Sequence, residues 1–451
     1  MFDLSFQPVA RTRPFALLAP GFVALDRTPE PAAGLVLADE GPPAPFAAVE
    51  LDVRAAGRAA GGSVAAGVAS PAGDHVLVRW SAGTGRLSLE VRTGGRTRVL
   101  RRRTIRPPGP FRLAFVLCEN QVTALVDRGE GWEPVLSERD KVAALVDLCS
   151  EDTLAGLRYA WAAEGVEVGS VRAGLFGMTG VRDPHLVQRA DGRPYVRDGR
   201  YYMTWTCAGP GFFQQAHWTV WSFDPATPED QRLEAQLFTR RDGRVLGDHA
   251  GQVVRDGRRW HVATSSWGDF TPGSIHVRHT TTTADLLHGV HVLDTEPTPL
   301  PTSVGSWDPA MTRIGDTWHV GYVESPSQQA GQRFDFHPAL ARTTSGTWHE
   351  GLEQVAAATT LHQAEGPILV RVQGEVWLLA SDGDERLYPV FDLTGRRVGR
   401  LDAPYPTNIP HPQLVPRPGG GWWLVTFDGT PYAEGALGYG THGDLVVMQS
   451  G

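Results

Sequence analysis

Residues 46 to 127 alternate apolar and polar positions with a period of two. Phe46–Val53, His75–Trp80, Arg86–Arg92, Phe111–Leu117 and Gln121–Asp127 are short runs of this kind, separated by turn-forming residues. Alternation at intervals of roughly ten residues predicts half-buried antiparallel strands and a β-sandwich. Residues 156–173, with Tyr159, Trp161, Val166, Val168 and Val171, supply a closing strand to it. The sandwich is expected to span residues 1–176.

From residue 177 onward the pattern changes to a repeat. A polar residue opens a short apolar strand, a glycine-containing turn follows, and then an aromatic-rich strand. The pairs are Asp183–Val187 with Asp198–Trp205, His249–Val254 with Asp256–Ala263, and Asp308–Thr312 with Gly315–Tyr322. Glu365–Val370 with Gly374–Ala380 and His411–Val415 with Gly421–Thr426 complete the series. The leading residues are 66, 59, 57 and 46 positions apart. A four-stranded propeller blade takes about 40–50 residues plus loops, so the repeat predicts a five-bladed β-propeller over 177–451. The fold class expected is all-β: an N-terminal sandwich followed by that propeller.

Composition agrees with this class. The chain has 451 residues, enough for two domains, with 52 Gly, 34 Pro and 14 Trp and no long helical blocks. A net charge of −8 argues against a nucleic-acid partner, which needs a basic face. The run Arg101, Arg102, Arg103 reads as a solvated strand end. No apolar run is long enough to cross a membrane. The first residues lack the basic and apolar regions of a signal peptide, so a cytoplasmic location is expected, or a secreted one had a leader been removed. Three cysteines, Cys118, Cys149 and Cys207, fit no metal spacing. A Cys118–Cys149 pair is open, but three free buried thiols are expected. Oligomeric state is not legible.

In a propeller the innermost strand of each blade lines the central channel. The leading residues Asp183, His249, Asp308, Glu365 and His411 therefore form a ring about one axis. Three carboxyl groups in one pocket raise each other's pKa. One raised and one low carboxyl is the requirement of glycoside cleavage, where an acid protonates the leaving oxygen and a carboxylate acts as base or nucleophile.

The segments Arg182-Asp183-Pro184-His185-Leu186, Trp307-Asp308-Pro309 and Ala364-Glu365-Gly366-Pro367 together resemble glycoside hydrolase family 43 and its five-bladed relatives. The resemblance covers about residues 177–451; the strand rhythm of residues 1–176 resembles the concanavalin-like sandwiches attached to carbohydrate-active enzymes, which implies an accessory or packing role for them. The family 43 resemblance implies that Asp183 is the general base on water, that Asp308 orients and tunes the acid, and that Glu365 is the general acid. It further implies inversion and a substrate of arabinofuranosyl or xylosyl type within an oligosaccharide or glycoside. His411 would match a last-blade histidine near the channel centre, beside a structural calcium or a water; no cofactor is otherwise required. Related fructan-cleaving enzymes share the Asp, Asp, Glu order, retain configuration and usually show Asn-Asp-Pro where this chain has Arg182-Asp183-Pro184. Two other readings are a non-catalytic sugar-binding propeller, and a phosphorylase with Arg333 or Arg386 in a phosphate pocket.

For the sugar-binding surface the candidates are His249, His411, Arg333 and aromatic residues that follow or flank inner strands: Trp205, Trp267 and Trp307, then Phe212, Phe213 and Tyr405. Aromatic faces stack on the apolar face of a sugar ring, although most propeller tryptophans pack between blades. His249 has no role that the sequence assigns.

Overall fold

The structure is a computed structural model describing residues 4–30, 34–56, 61–327, 333–430 and 443–451. The sandwich consists of two six-stranded antiparallel sheets. In one, the order is Trp132–Glu138, Gln121–Asp127, Phe111–Cys118, Phe46–Ala56, Val166–Met178, Ala16–Arg27. In the other it is Val36–Leu37, Arg158–Glu164, Ser63–Ala69, His75–Ser81, Arg86–Thr93, Arg96–Thr104. The alternating apolar positions meet between the sheets, where Val49, Leu51, Val64, Leu87, Leu89 and Leu113 share one core. The segment expected to be one closing strand is two. Gly165, at φ 58°, lets the chain turn so that Arg158–Glu164 joins one sheet and Val166–Met178 the other. Arg101, Arg102 and Arg103 lie on the exposed edge strand Arg96–Thr104, and Arg101 pairs with Glu138 at 2.7 Å.

Five further sheets follow, each led by one of the repeated strands: Val181–Leu186, His249–Asp256, Gly305–Ile314, Ala364–Val372 and Gln413–Pro416. Each pairs antiparallel with the aromatic-rich strand after it. We number these sheets as blades 1 to 5. The apolar clusters show that the blades close into a ring. Val187 and Trp218 of blade 1 pack with Val253 and Trp260 of blade 2. Val254 of blade 2 packs with Met311 and Trp318 of blade 3, and Ala310 of blade 3 with Leu369 and Leu378 of blade 4. Ile368 and Leu379 of blade 4 pack with Leu414 and Leu424 of blade 5, and Val415 and Val425 of blade 5 return to Met203 and Trp205 of blade 1.

The first strand of the chain does not lie in the sandwich, where a boundary at residue 176 would put it. Phe6–Thr12 pairs antiparallel with Asp444–Ser450 as the outermost strand of blade 5, from Phe6 opposite Ser450 to Thr12 opposite Leu445. The two ends of the chain thus complete one sheet, which leaves blade 5 with four strands and ties the ring to the sandwich's leading segment. Sandwich and propeller also share a core in which Phe46, Leu17 and Leu18 pack against Phe238 and Val245 of blade 1. All three cysteines are free and buried. No described helix is long and apolar enough to cross a membrane.

Candidate active site

The inner strands of blades 1 to 4 each break register at the same place. The breaks fall between Arg182 and His185, His249 and Gln252, Trp307 and Ala310, and Glu365 and Ile368. Within each lies a residue in the left-handed region: Asp183 at φ 56°, Ala250 at 54°, Asp308 at 49° and Gly366 at 64°. Such a bulge bends the strand and re-aims its side chains. The strain of a positive φ, of order 1–3 kcal/mol for a residue with a Cβ, needs support from the surroundings. The preceding blade gives it: Ala250 N donates to Thr206 Oγ1 at 3.2 Å, Asp308 N to Ser265 Oγ at 2.9 Å, and Gly366 N to Asp308 Oδ2 at 3.1 Å. Aligned on the bulge, Asp183 and Asp308 are equivalent, but His249 and Glu365 come one residue earlier, level with Arg182 and Trp307. The leading residues therefore occupy two neighbouring positions, not one, and the bulge brings both into the channel.

Asp183, Asp308, Glu365, His249, Trp267 and Trp307 line a single cavity of about 200 Å³. His411 is buried at its base. Its Nε2 lies 3.4 Å from Asp308 Oδ2, 3.6 Å from Asp183 Oδ1 and 3.8 Å from Glu365 Oε1, close to all three acids. Arg182 is the other cation. Its Nε donates to Asp183 Oδ1 at 2.7 Å and its Nη2 donates to Glu365 Oε1, while its guanidinium carbon lies 5.0 Å from the centre of the Phe427 ring. His249 Nε2 faces the Phe213 carbonyl at 3.1 Å, and its Nδ1 faces Thr206 Oγ1 at 3.3 Å.

Burial penalises every charge here, and the neighbours decide the outcome. Burial works against the Asp183 carboxylate, but Arg182, His411 and His249 outweigh it and hold this group below the ordinary aspartate range. Asp308 goes the other way. Burial, reinforced by the charges of Glu365 and Asp183 and only partly opposed by His411, pushes it up to about 8. Burial also disfavours a charged His411, yet the three carboxyl groups raise it above the usual imidazole value. His249 is lowered, chiefly by burial. From the resemblance, Asp308 raises the pKa of a neighbouring acid; here the raised group is Asp308 itself.

One oxygen each of Asp308 and Glu365 and one ring nitrogen of His411 lie within 4.8 Å of one another. Calcium takes six to eight oxygen ligands, and this set offers two oxygens and an imidazole, with Arg182 already on Glu365. Waters count among those ligands, so a calcium ion here would take most of its shell from water.

Other candidates lie elsewhere. Trp205 is fully buried in the core between blades 1 and 5, with its Nε1 donating to Gln231 Oε1 at 2.7 Å. It faces away from the channel. Arg333 sits outside the cavity lining and pairs with Asp335 at 3.1 Å and Asp384 at 2.6 Å; Arg386 donates to the carbonyl of Tyr405 at 3.2 Å. Neither builds a phosphate pocket with the acids. Phe213 lines the cavity, whereas Tyr405 hydrogen-bonds Ser381 at 2.8 Å behind it. Sequence reasoning gave no role to Arg182, Phe334, Phe336, Gln363, Asn408 or Ile409, all of which line the cavity. Arg182 was visible as the neighbour of Asp183, but Phe334 and Phe336 belong to no repeated motif.

No protein-family model matches the sequence, and no curated protein matches it. Among solved structures, a family 43 glycoside hydrolase of Xanthomonas citri is similar at 15% identity and TM-score 0.43, over 60% of this chain and 87% of that one. A family 117 glycoside hydrolase of Zobellia galactanivorans is similar at 11% identity and TM-score 0.42, over 60% and 84%. A galectin of Caenorhabditis elegans is similar at 12% identity and TM-score 0.25, over 33% of this chain and 95% of its own. Likeness at this level leaves the chemistry to be read from the side chains of the cavity.

Proposed function

We propose that the cavity hydrolyses the glycosidic bond of a terminal sugar unit. The observation carrying this reading is that three carboxyl groups from blades 1, 3 and 4 meet at the base of one aromatic-walled cavity. One of them, Asp183, is held anionic, and another, Asp308, is pushed up to about 8. Pairs of titratable groups whose surroundings drive their pKa values apart supply the acid and the base of such a reaction. A space of about 200 Å³ suits one sugar residue, which favours removal of terminal units. Arabinofuranosyl or xylosyl units are proposed as that residue.

Asp183 is proposed to take a proton from water as the water oxygen bonds to the anomeric carbon. The bond to the leaving oxygen breaks, and Glu365 gives that oxygen a proton replaced from Asp308 by way of His411. Binding of the sugar has to loosen the Arg182–Glu365 contact before Glu365 can carry the proton. The scheme inverts the anomeric centre. A second reading, retention through a covalent intermediate on Asp183, is favoured by one observation: a single guanidinium reaches both Asp183 and Glu365. Retaining enzymes hold their carboxyl groups about 5–5.5 Å apart, inverting ones about 6.5–9.5 Å. A panel of aryl furanosides and pyranosides, with the first product anomer followed by NMR, tests hydrolysis and separates the two. Sugar binding without turnover, surviving loss of all three carboxyl groups, would instead mark a binding propeller.

A further inference from the structure

The cavity's wall is an unbroken arc of aromatic rings running from blade 1 to blade 3. Phe212 meets Phe213 at 4.5 Å between ring centres, Phe213 stacks on Trp267 at 4.6 Å, Trp267 meets Trp307 at 5.7 Å, and Trp307 stacks on Phe334 at 5.6 Å. The middle of the arc is buried, with Trp267 6% and Trp307 1% exposed. Its two ends emerge, Phe212 at 51% and Phe334 at 36%. Among the described residues these are the only exposed aromatics of the large apolar side chains, the others being valines. Phe334 lines the cavity, and Phe212 packs on the lining residue Phe213, so the exposed rings belong to one aromatic patch that reaches the cavity.

A sugar in this position would need hydrogen-bonding partners as well as a stacking face. Among the described residues, two side-chain donors beside Phe334 bond within the protein. Gln363 Nε2 donates to the carbonyls of Phe334 and His362, and Arg333 is held by Asp335 and Asp384. The mouth thus offers a flat apolar face next to two donors already bonded within the protein.

We infer that the leaving-group side of the site takes an aromatic, phenol-type aglycone, with Phe334 as its stacking face. The inference rests on the hydrolase reading and narrows it from a general glycoside to an aryl glycoside. Water's oxygen and one hydrogen go to the anomeric carbon, its other hydrogen is balanced by the proton delivered to the departing oxygen, and the products are free sugar and a phenol.

The test uses probes that cannot be hydrolysed, so leaving-group reactivity plays no part. Phenyl and methyl 1-thio-β-D-xylopyranoside and 1-thio-α-L-arabinofuranoside are compared by saturation-transfer NMR and by affinity on the full-length protein. The phenyl compound of at least one pair should bind more tightly than its methyl partner, with strong saturation of the phenyl protons. Phe334→Ala should lower that preference about threefold to tenfold, and Phe334→Tyr should keep it. Equal binding of phenyl and methyl compounds, absence of phenyl saturation, or a preference untouched by Phe334→Ala would overturn the inference. Hydrolysis of a pentoside with no phenyl preference would sink the aglycone assignment and leave the hydrolase standing. Phenyl saturation lost in Phe334→Ala, with no turnover of any glycoside, would sink the hydrolase reading and the aglycone role with it, leaving Phe334 as an aryl-binding face only.

Discussion

Arg182 and Glu365 lie 183 positions apart in the chain, and the guanidinium of the first donates to the carboxylate of the second at the base of the cavity. The same guanidinium holds Asp183 at 2.7 Å. Blade 1 and blade 4 are thereby joined across the channel through a buried ion pair. Such a pair adds little net stability compared with an apolar replacement, but removing one partner leaves a charge stranded. Here two carboxylates would be stranded at once.

Arg182→Ala is therefore expected to lower stability by about 3–5 kcal/mol in denaturant unfolding. Arg182→Lys, a compact charge without the planar fork, should recover part of the stability but not the hold on both acids. A change below about 1 kcal/mol in the alanine variant would show that the bridge does not organise the site.

Much of this site was open to sequence reasoning, and the parts that escaped did so for definable reasons. Asp183, Asp308 and Glu365 were legible because each opens a repeated strand. What the repeat does not reveal is the bulge. Register shifts depend on backbone conformation at Asp183, Ala250, Asp308 and Gly366, so neither the one-residue offset of His249 and Glu365 nor the reach of Arg182 could be read from spacing. Trp205 was misplaced because a second strand offers two faces. Its pairing with Thr219 and its bond to Gln231 turn it into the core between blades. Phe6–Thr12 has only weak alternation, and its partner lies at the far end of the chain.

Gly366 gives a test of the bulge. Its φ is 64°, and a Cβ there would come within 2.3 Å of His411 Cδ2. Gly366→Ala adds backbone strain and pushes the imidazole away from the acids. A loss of about 1–3 kcal/mol is expected in thermal or chemical unfolding, together with reduced turnover. An alanine variant as stable and active as the parent would contradict the packing described.

Replacing the proposed acid separates its role from general damage. Glu365→Gln should lower kcat about 10²- to 10⁴-fold on glycosides with poor leaving groups. Activity on dinitrophenyl glycosides, whose leaving group needs no proton, should be largely spared. Equal losses on both would assign Glu365 a different task.

The raised Asp308 has a consequence for stability. Its carboxyl has an ordinary value of 3.8 and about 8 in the folded protein, so over that window the folded state binds more protons than the unfolded one. The contribution of Asp308 to stability should accordingly fall as pH rises between those values, while the buried histidines His185 and His217, held at about 3, act in the opposite direction up to their ordinary value of 6.5. His411, also raised in the folded state, acts in the same direction as Asp308 above its ordinary value of 6.5. Asp308→Asn should remove that falling contribution, so the variant's stability relative to the parent's should rise with pH when unfolding is followed by urea titration across the range. A variant whose stability relative to the parent's does not change from pH 4 to 8 would show that Asp308 is not held protonated.

Product analysis reaches the central claim most directly. The wild-type protein and Asp183→Asn are incubated with aryl pentofuranosides and pentopyranosides while the anomeric protons are followed by NMR. The wild-type protein is expected to release free sugar from at least one of them, first as a single anomer inverted relative to the substrate, and Asp183→Asn to release none. A folded protein that binds these glycosides yet frees no sugar at any pH where it remains folded would contradict that claim.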